Sequence, residues 1–534
     1  MRKPFIPMFV LSILVLAGCR ECPPCGDAKA GAAGKAVGGA DAGLEETDAG
    51  VKGAAIGGKP REVTEFKLYA RAGFDKVNIW EKPDMASPRL GYFRRGAHAR
   101  VGDPRYSSET CPEGWFQIEE GGFVCQGRGM LIGEKPRAVP NPPHPPRVHE
   151  LDPYKHGFIR RDWTPAYKRL PLRDEMWLPP TFDAVETADG GVGPGAGEIR
   201  PPCPTEAELA RAAASIAAKP DAPTAEPGSD KPEIPCSDYE VYTRHKYRNV
   251  RELMSRGFWT SVTERLRHDE TGETYYRTVK GDFVPGSAVH LVRPPEFQGY
   301  AVSGDQPLPA AIVTSRYAAV YELQSGKFRG VGPVDRLSVF RVKGEQSGQG
   351  GTYYQIEENR WLKADHVAYF PLRTALPEGV KEDEKWIYVD LSRQTLEAYE
   401  GLTPVYVTLV STGLPNTQEG ETEIVTETPR GRFRISFKHV TDDMTGTVGD
   451  NQDVYSVSDV PWVQYIFQNV ALHGAFWHSK FGAPKSHGCI NLSPADARYL
   501  FDWTDPVLPA GWHGVAAVEG GPTTLVIIEG KTPK

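Results

Sequence analysis

Three stretches that cannot bury a core divide this chain, and they set what it can fold into. Residues 26 to about 60 are rich in Gly, Ala and Asp and almost free of aromatics, the composition of a flexible tether. A second break runs from Pro140 to about Pro180 and opens with Pro-Asn-Pro-Pro-His-Pro-Pro. A third covers residues 184 to 235, where Gly, Ala and Pro surround one short candidate helix, Glu206 to Ala218. Folding is confined to the pieces between. At 534 residues there is room for three or four of them. The formal net charge of -7 carries no basic footprint, so no nucleic-acid partner is expected.

The pieces share a weak repeat. Trp115-Phe116-Gln117-Ile118 is followed by Phe123, Tyr275-Tyr276-Arg277-Thr278 by Phe283, and Tyr353-Tyr354-Gln355-Ile356 by Trp361, always eight residues after the first aromatic. Alternation on both sides of a Gly- or Asn-containing turn predicts a β-hairpin with one buried face. From Lys385 the pattern changes. Trp386–Leu391, Thr395–Tyr399, Val405–Val410 and Arg432–Ser436 read as strands, and no helical period competes before Ser493. Ser493-Pro494-Ala495-Asp496 is a good helix start, with a capping hydroxyl, Pro in the first turn and a carboxylate at the positive end.

The N-terminus pairs Arg2 and Lys3 with an apolar run from Pro4 to Leu16, too short for a permanent membrane span. Leu16-Ala17-Gly18-Cys19 resembles the lipobox of bacterial lipoproteins, which implies lipidation of Cys19, a membrane partner through it, and an exported, lipid-anchored protein (periplasmic if the cell is Gram-negative). In an oxidising compartment cysteines pair unless reserved for chemistry. Cys111 with Cys125, Cys203 with Cys236 and Cys22 with Cys25 are the candidate pairs, and Cys489 is left alone.

The stretch His473-Gly474-Ala475-Phe476-Trp477-His478 precedes Ser486-His487-Gly488-Cys489-Ile490-Asn491. A thiol attacks as thiolate, and an imidazole sixteen residues upstream can serve as its base if a loop between neighbouring strands brings the two together. Gly488 allows close backbone approach, and the amides of Gly488 and Cys489 can face an oxyanion. A rate that rises with thiolate formation near neutrality, then falls when a catalytic proton is lost, is expected. His473, His478, His487 and Cys489 fit no regular zinc spacing, so no metal is expected.

These residues resemble the motif of the L,D-transpeptidase (YkuD-type) family: a His, a spacer, then Ser/Thr-His-Gly-Cys, an apolar residue and Asn or Arg. Thr428-Pro429-Arg430-Gly431-Arg432-Phe433 is similar to its second signature. The resemblance implies Cys489 as nucleophile, His473 as base oriented through the Gly474 carbonyl, and an oxyanion hole from Gly488 and Cys489. It further implies help there from Tyr455 or Tyr465, a loop-orienting or substrate-contacting His487, Trp477 and His478 at the entrance, and Ser486 and Asn491 among the substrate-binding residues. By their own chemistry Ile490, through burial, and Asn491, through hydrogen bonding, are expected to fix the nucleophile's segment. The implied partners are peptidoglycan stem peptides, donor and acceptor, joined through a Cys489 thioester into 3→3 crosslinks with release of D-alanine. No cofactor is implied, and carbapenem-type inhibitors are expected to acylate Cys489. Resolution of the same acyl-enzyme by water, or a non-catalytic wall-binding lipoprotein, are the competing readings.

The expected architecture is a mainly β multidomain chain. Residues 1–18 are the signal peptide and 19–61 the anchor and tether. An SH3-like β module follows at 62–135, a Pro/Ala/Gly-rich linker at 136–235, a candidate second β module at 236–300 and an SH3-like module at 301–375. A YkuD-type β-sandwich with one short helix after the nucleophile loop closes the chain at 385–529.

Overall fold

In a computed structural model the chain is described over residues 65–139, 142–176, 248–419, 422–448 and 453–533. Cys19, the Cys22/Cys25 and Cys203/Cys236 pairs and the helix expected at 206–218 lie outside those residues. The described residues are mainly β, with one α-helix, Pro494–Trp503. No described helix is long and apolar enough to cross a membrane. The chain divides into two compact units, one holding Pro165–Leu253 and the other Asp48–Thr164 with Met254–Lys534. In the former, Arg169 grips Glu175 with both guanidinium arms (2.5 and 2.8 Å), and the Asn249 side chain bonds the Arg169 backbone.

The latter unit contains the three repeats, and they fold alike. Gln117 pairs with Phe123, Arg277 with Phe283 and Gln355 with Trp361, which is the same hairpin register each time. The turn residue six positions after the first aromatic has positive φ in all three: Gly121, Gly281 and Asn359, residue types that tolerate it. The leading aromatics Trp115, Tyr275 and Tyr353 are buried. The second and third copies continue into 3-10 turns, Gly286–Ala288 and Ala364–His366, whereas the first does not. A disulfide joins Cys111 and Cys125 across the first hairpin.

The expected linker at 136–235 needs correction. Lys155–Ile159 is a strand that pairs with Trp259–Arg267 and Val289–Leu291, so the second module recruits residues from well before 236. Its sequence gives little sign of this, because two of its three buried residues are His156 and Gly157 rather than large apolar ones.

The C-terminal domain is two packed sheets. The first runs Thr403–Leu409, Thr395–Glu400, Lys385–Asp390, Leu525–Glu529, Gly431–Arg434, with Lys385–Asp390 parallel to Leu525–Glu529. The second is built on Phe437–Val448 and Asp453–Phe467, then Val470–Gly474 and Ile490–Leu492. Residues 441–448 belong to the first of those two long strands, and Asp453 begins the second. Ile387, Val389, Leu396, Trp462, Leu472, Ile490, Leu500 and Val526 meet in one core between the sheets and the helix, the geometry of a sandwich. The helix starts at the expected cap, with Ser493 Oγ accepting the Asp496 N–H at 3.1 Å.

The modules are joined to this domain rather than strung beside it. Arg89–Arg94 of the first pairs with Gly514–Ala516, and Trp512 and Val515 complete the first module's core. Asp459 is a buried hub: its carboxylate accepts from Arg94 at 2.7 Å, from Thr441 at 3.0 Å and from Ser261 of the second module. Burial raises the pKa of that carboxyl, but Arg94 and the Ser261 bond outweigh it and hold the group below its ordinary value.

Candidate active site

Strands Val470–Gly474 and Ile490–Leu492 run parallel, with Leu472 opposite Ile490 and His473 opposite Asn491. Paired residues of a parallel ladder share a face, and positions two apart return to it. Cys489, two before Asn491, is therefore brought to the face of His473 across sixteen residues of sequence. Parallel neighbours need a crossover, and residues 475–489 supply it as a loop, with one isolated bridge, Ser486 to Gly413, but without regular helix or strand.

His473 is buried, and its Nδ1 lies 3.2 Å from the Gly474 carbonyl. With Nδ1–H donating there, Nε2 carries the lone pair. Burial pulls this imidazole down to about 4, against the opposing pull of that carbonyl. Cys489 is free and half-buried. Its thiol reaches the Asn469 carbonyl at 3.6 Å, and burial pushes its pKa above the ordinary value against the Ala471 N–H. The resting pair is thus a neutral thiol and a neutral imidazole.

The nucleophile loop is held by both sequence signatures at once. Gly488 adopts φ 123°, a backbone region suited to glycine. Its carbonyl accepts from Thr428 Oγ1 at 2.9 Å, and Thr428 Oγ1 in turn accepts the Gly413 N–H at 2.8 Å. The Thr-Pro signature is therefore a clamp on the residue before the sulfur. Ser486 Oγ donates to the Cys489 carbonyl and accepts the Gly488 N–H at 3.2 Å, so that amide is engaged inside the loop. Asn491 exchanges backbone bonds with Ser411, both at 2.9 Å, while its side-chain amide meets His478 Nε2 at 3.0 Å.

Both candidate tyrosines lie close enough to Cys489 that a thiolate there would raise their phenols, after the larger effects of burial and, for Tyr465, of Asp442. They differ in what their hydroxyls do. Tyr465 donates to Asp442 at 3.0 Å. Tyr455 has no hydrogen-bond partner among the described residues; its ring stacks on the exposed His487 at 5.4 Å and 8°. Trp477 stacks on His473 at 5.8 Å, and burial first, then His473 and two lysines, lower His478 to about 4. Sequence reasoning gave no role to Ser411, Gly413, Phe476 or Phe481, and assigned none to Thr428 beyond its place in a signature. Only Thr428 carried a usable signal.

With this geometry in view, residues 384–528 match the model of the L,D-transpeptidase catalytic domain family. Comparison with curated proteins finds no match. Among solved structures, the chain is similar to an Enterococcus faecium L,D-transpeptidase cysteine-to-serine mutant, at 24% identity over 30% of this chain and 55% of that one, TM-score 0.22. It is also similar to the catalytic domain of E. faecium L,D-transpeptidase (25% identity, 28% and 98% of the two chains, TM-score 0.21) and to an L,D-transpeptidase from Mycobacterium smegmatis (19%, 45% and 99%, TM-score 0.22). The chain thus spans about half of the first of these, 55% of its length. The C-terminal quarter is a member of the YkuD class. Within that class it is an L,D-transpeptidase catalytic domain, residues 384–528.

Proposed function

We propose that the protein is an L,D-transpeptidase that forms or exchanges peptide bonds in peptidoglycan through a thioester on Cys489. The observation that carries this is the parallel register that sets a free cysteine on the face of a buried, neutral histidine, inside a domain of that family. As Cys489 Sγ attacks the carbonyl of the third stem residue, its proton passes to His473 Nε2. The tetrahedral oxyanion is met by the Cys489 amide and the Tyr455 hydroxyl, the phenol without a hydrogen-bond partner among the described residues; Gly488's amide joins them only after leaving Ser486. Collapse expels the terminal D-alanine with the proton from His473. An amine of a second stem then attacks the thioester, His473 takes its proton, and the 3→3 bond forms as the sulfur leaves. One peptide bond is broken and one made, so no energy source is required.

His487, Trp477 and His478 line the donor's approach. An anchor at lipidated Cys19 would hold the enzyme at the membrane, and the SH3-like modules would face the wall. A related E. faecium catalytic domain has been solved acylated by ertapenem; the same chemistry at Cys489 is proposed here. The test is incubation with a disaccharide-tetrapeptide and analysis of the products. A 3→3 dimer from the parent protein and none from Cys489→Ala supports the reading. Free D-alanine without dimer would assign the water-resolved reaction instead, and dimer from Cys489→Ala would remove the proposed nucleophile.

A further inference from the structure

The loop 475–489 carries Trp477 and His478 into the site, and each end of that pair is gripped from outside the catalytic domain. Phe476 is buried against His156 (rings 3.5 Å apart, 12° between planes) and Trp259, both from the second module. Phe481 is fully buried among Phe297, Leu308, Ala310, Ile312 and Phe370, from the third module and the segment leading into it. Between them stands Arg336, also of the third module. Its Nη1 donates to the Ser479 carbonyl at 3.0 Å, its Nη2 to the Phe481 carbonyl, and its Nε to Thr314 of its own module at 3.0 Å. Only burial, which lowers it, acts noticeably on its pKa, and no carboxylate contributes. The guanidinium therefore spends its donors on backbone carbonyls, fixing where the chain passes.

That path determines two contacts of the site. His478 sits one residue before Ser479, accepts the Lys480 N–H on Nδ1 at 3.2 Å and meets the Asn491 amide on Nε2 at 3.0 Å. Trp477, one residue earlier, covers the His473 ring. We propose that Arg336 is a positioning residue for acyl transfer: it locks the third β module onto the catalytic loop and so holds Trp477 and His478 in register with His473 and Asn491. The third module is then part of the working enzyme rather than only an arm that reaches for wall. This rests on the reading of Cys489 as the acylated nucleophile.

The experiment measures acylation of Cys489 by ertapenem, followed by intact-protein mass, in the full chain. Arg336→Ala is expected to slow acylation on the order of 10–100-fold, since a displacement of about 1 Å can cost that much. Arg336→Lys, with one ammonium for three carbonyls, should fall between, and adding guanidinium ion to Arg336→Ala should restore much of the rate. A merely stabilising contact would not give that rescue. Acylation of Arg336→Ala within about two-fold of the parent overturns the proposal, as does a slowed rate that guanidinium leaves unchanged. If Arg336→Ala does not fold, Arg336→Lys decides: slowed acylation with a parental unfolding midpoint supports the clamp, and parental acylation overturns it. The parent and Cys489→Ala run alongside. A parent that takes no adduct sinks the reading of Cys489, whereas a labelled parent with undiminished Arg336 variants sinks the clamp alone.

Discussion

At neutral pH burial keeps His473 unprotonated and Cys489 a thiol, so in the proposed mechanism the proton would cross from sulfur to imidazole only as attack begins. This changes the pH dependence expected from sequence, which placed thiolate formation near neutrality. Alkylation of Cys489 by iodoacetamide should climb steadily from about pH 6 to about pH 9 without a plateau, because the thiolate is the reactive form. A plateau below about pH 7 would reveal a preformed ion pair. The Thr428 clamp is equally specific. Thr428→Val removes the donor to Gly488 and the acceptor for Gly413, leaving buried groups unpaired at about 1–3 kcal/mol. It should lower turnover more than donor binding, measured as kcat against KM, since it loosens the residue beside the sulfur; equal kcat in parent and variant would refute that role.

At the scale of elements, the helix behind the nucleophile loop depends on its first residue. Ser493→Ala should cost about 1 kcal/mol of stability by loss of the cap, read as a lower denaturation midpoint. Both motif runs and this helix were legible in the sequence because each rests on local chemistry: a capping hydroxyl, a proline, a His and Cys at recognisable spacing. The hairpins were legible through one interval, because eight residues fixes both the register and the turn. Lys155–Ile159 was hidden, since two of its three buried residues are His156 and Gly157, and their partners lie more than a hundred residues away. The anchoring of the catalytic loop by Phe476 and Phe481 was hidden for the same reason. An aromatic in a loop does not say which remote surface covers it.

For the molecule as a whole, buried histidines set an acid limit. His439 and His513 are held at about 3 and His473 and His478 at about 4, in each case first by burial. In the unfolded chain they take protons near the ordinary 6.5, so the unfolded state binds more protons as pH falls below that value. Stability is therefore full above about pH 6.5 and is lost as pH drops toward about 4, by several kcal/mol at roughly 1.4 per unit per group; Asp442 and Asp496, raised by burial, offset part of it. Chemical denaturation at stepped pH should show this fall, and a flat profile would contradict it. The Asp459 hub makes a second whole-molecule prediction. Arg94→Met leaves a buried carboxylate without its cation, at about 3–5 kcal/mol, and should weaken the first module and the catalytic domain together as one transition.

All of this converges on a single sulfur. The most direct measurement is the intact mass of the protein quenched in acid during turnover of a tetrapeptide donor without amine acceptor, with the modified peptide located by fragmentation. An acyl adduct that has lost D-alanine, carried on Cys489 and absent from Cys489→Ala, is expected. An adduct on another residue, or D-alanine release that persists in Cys489→Ala, would contradict Cys489 as the nucleophile.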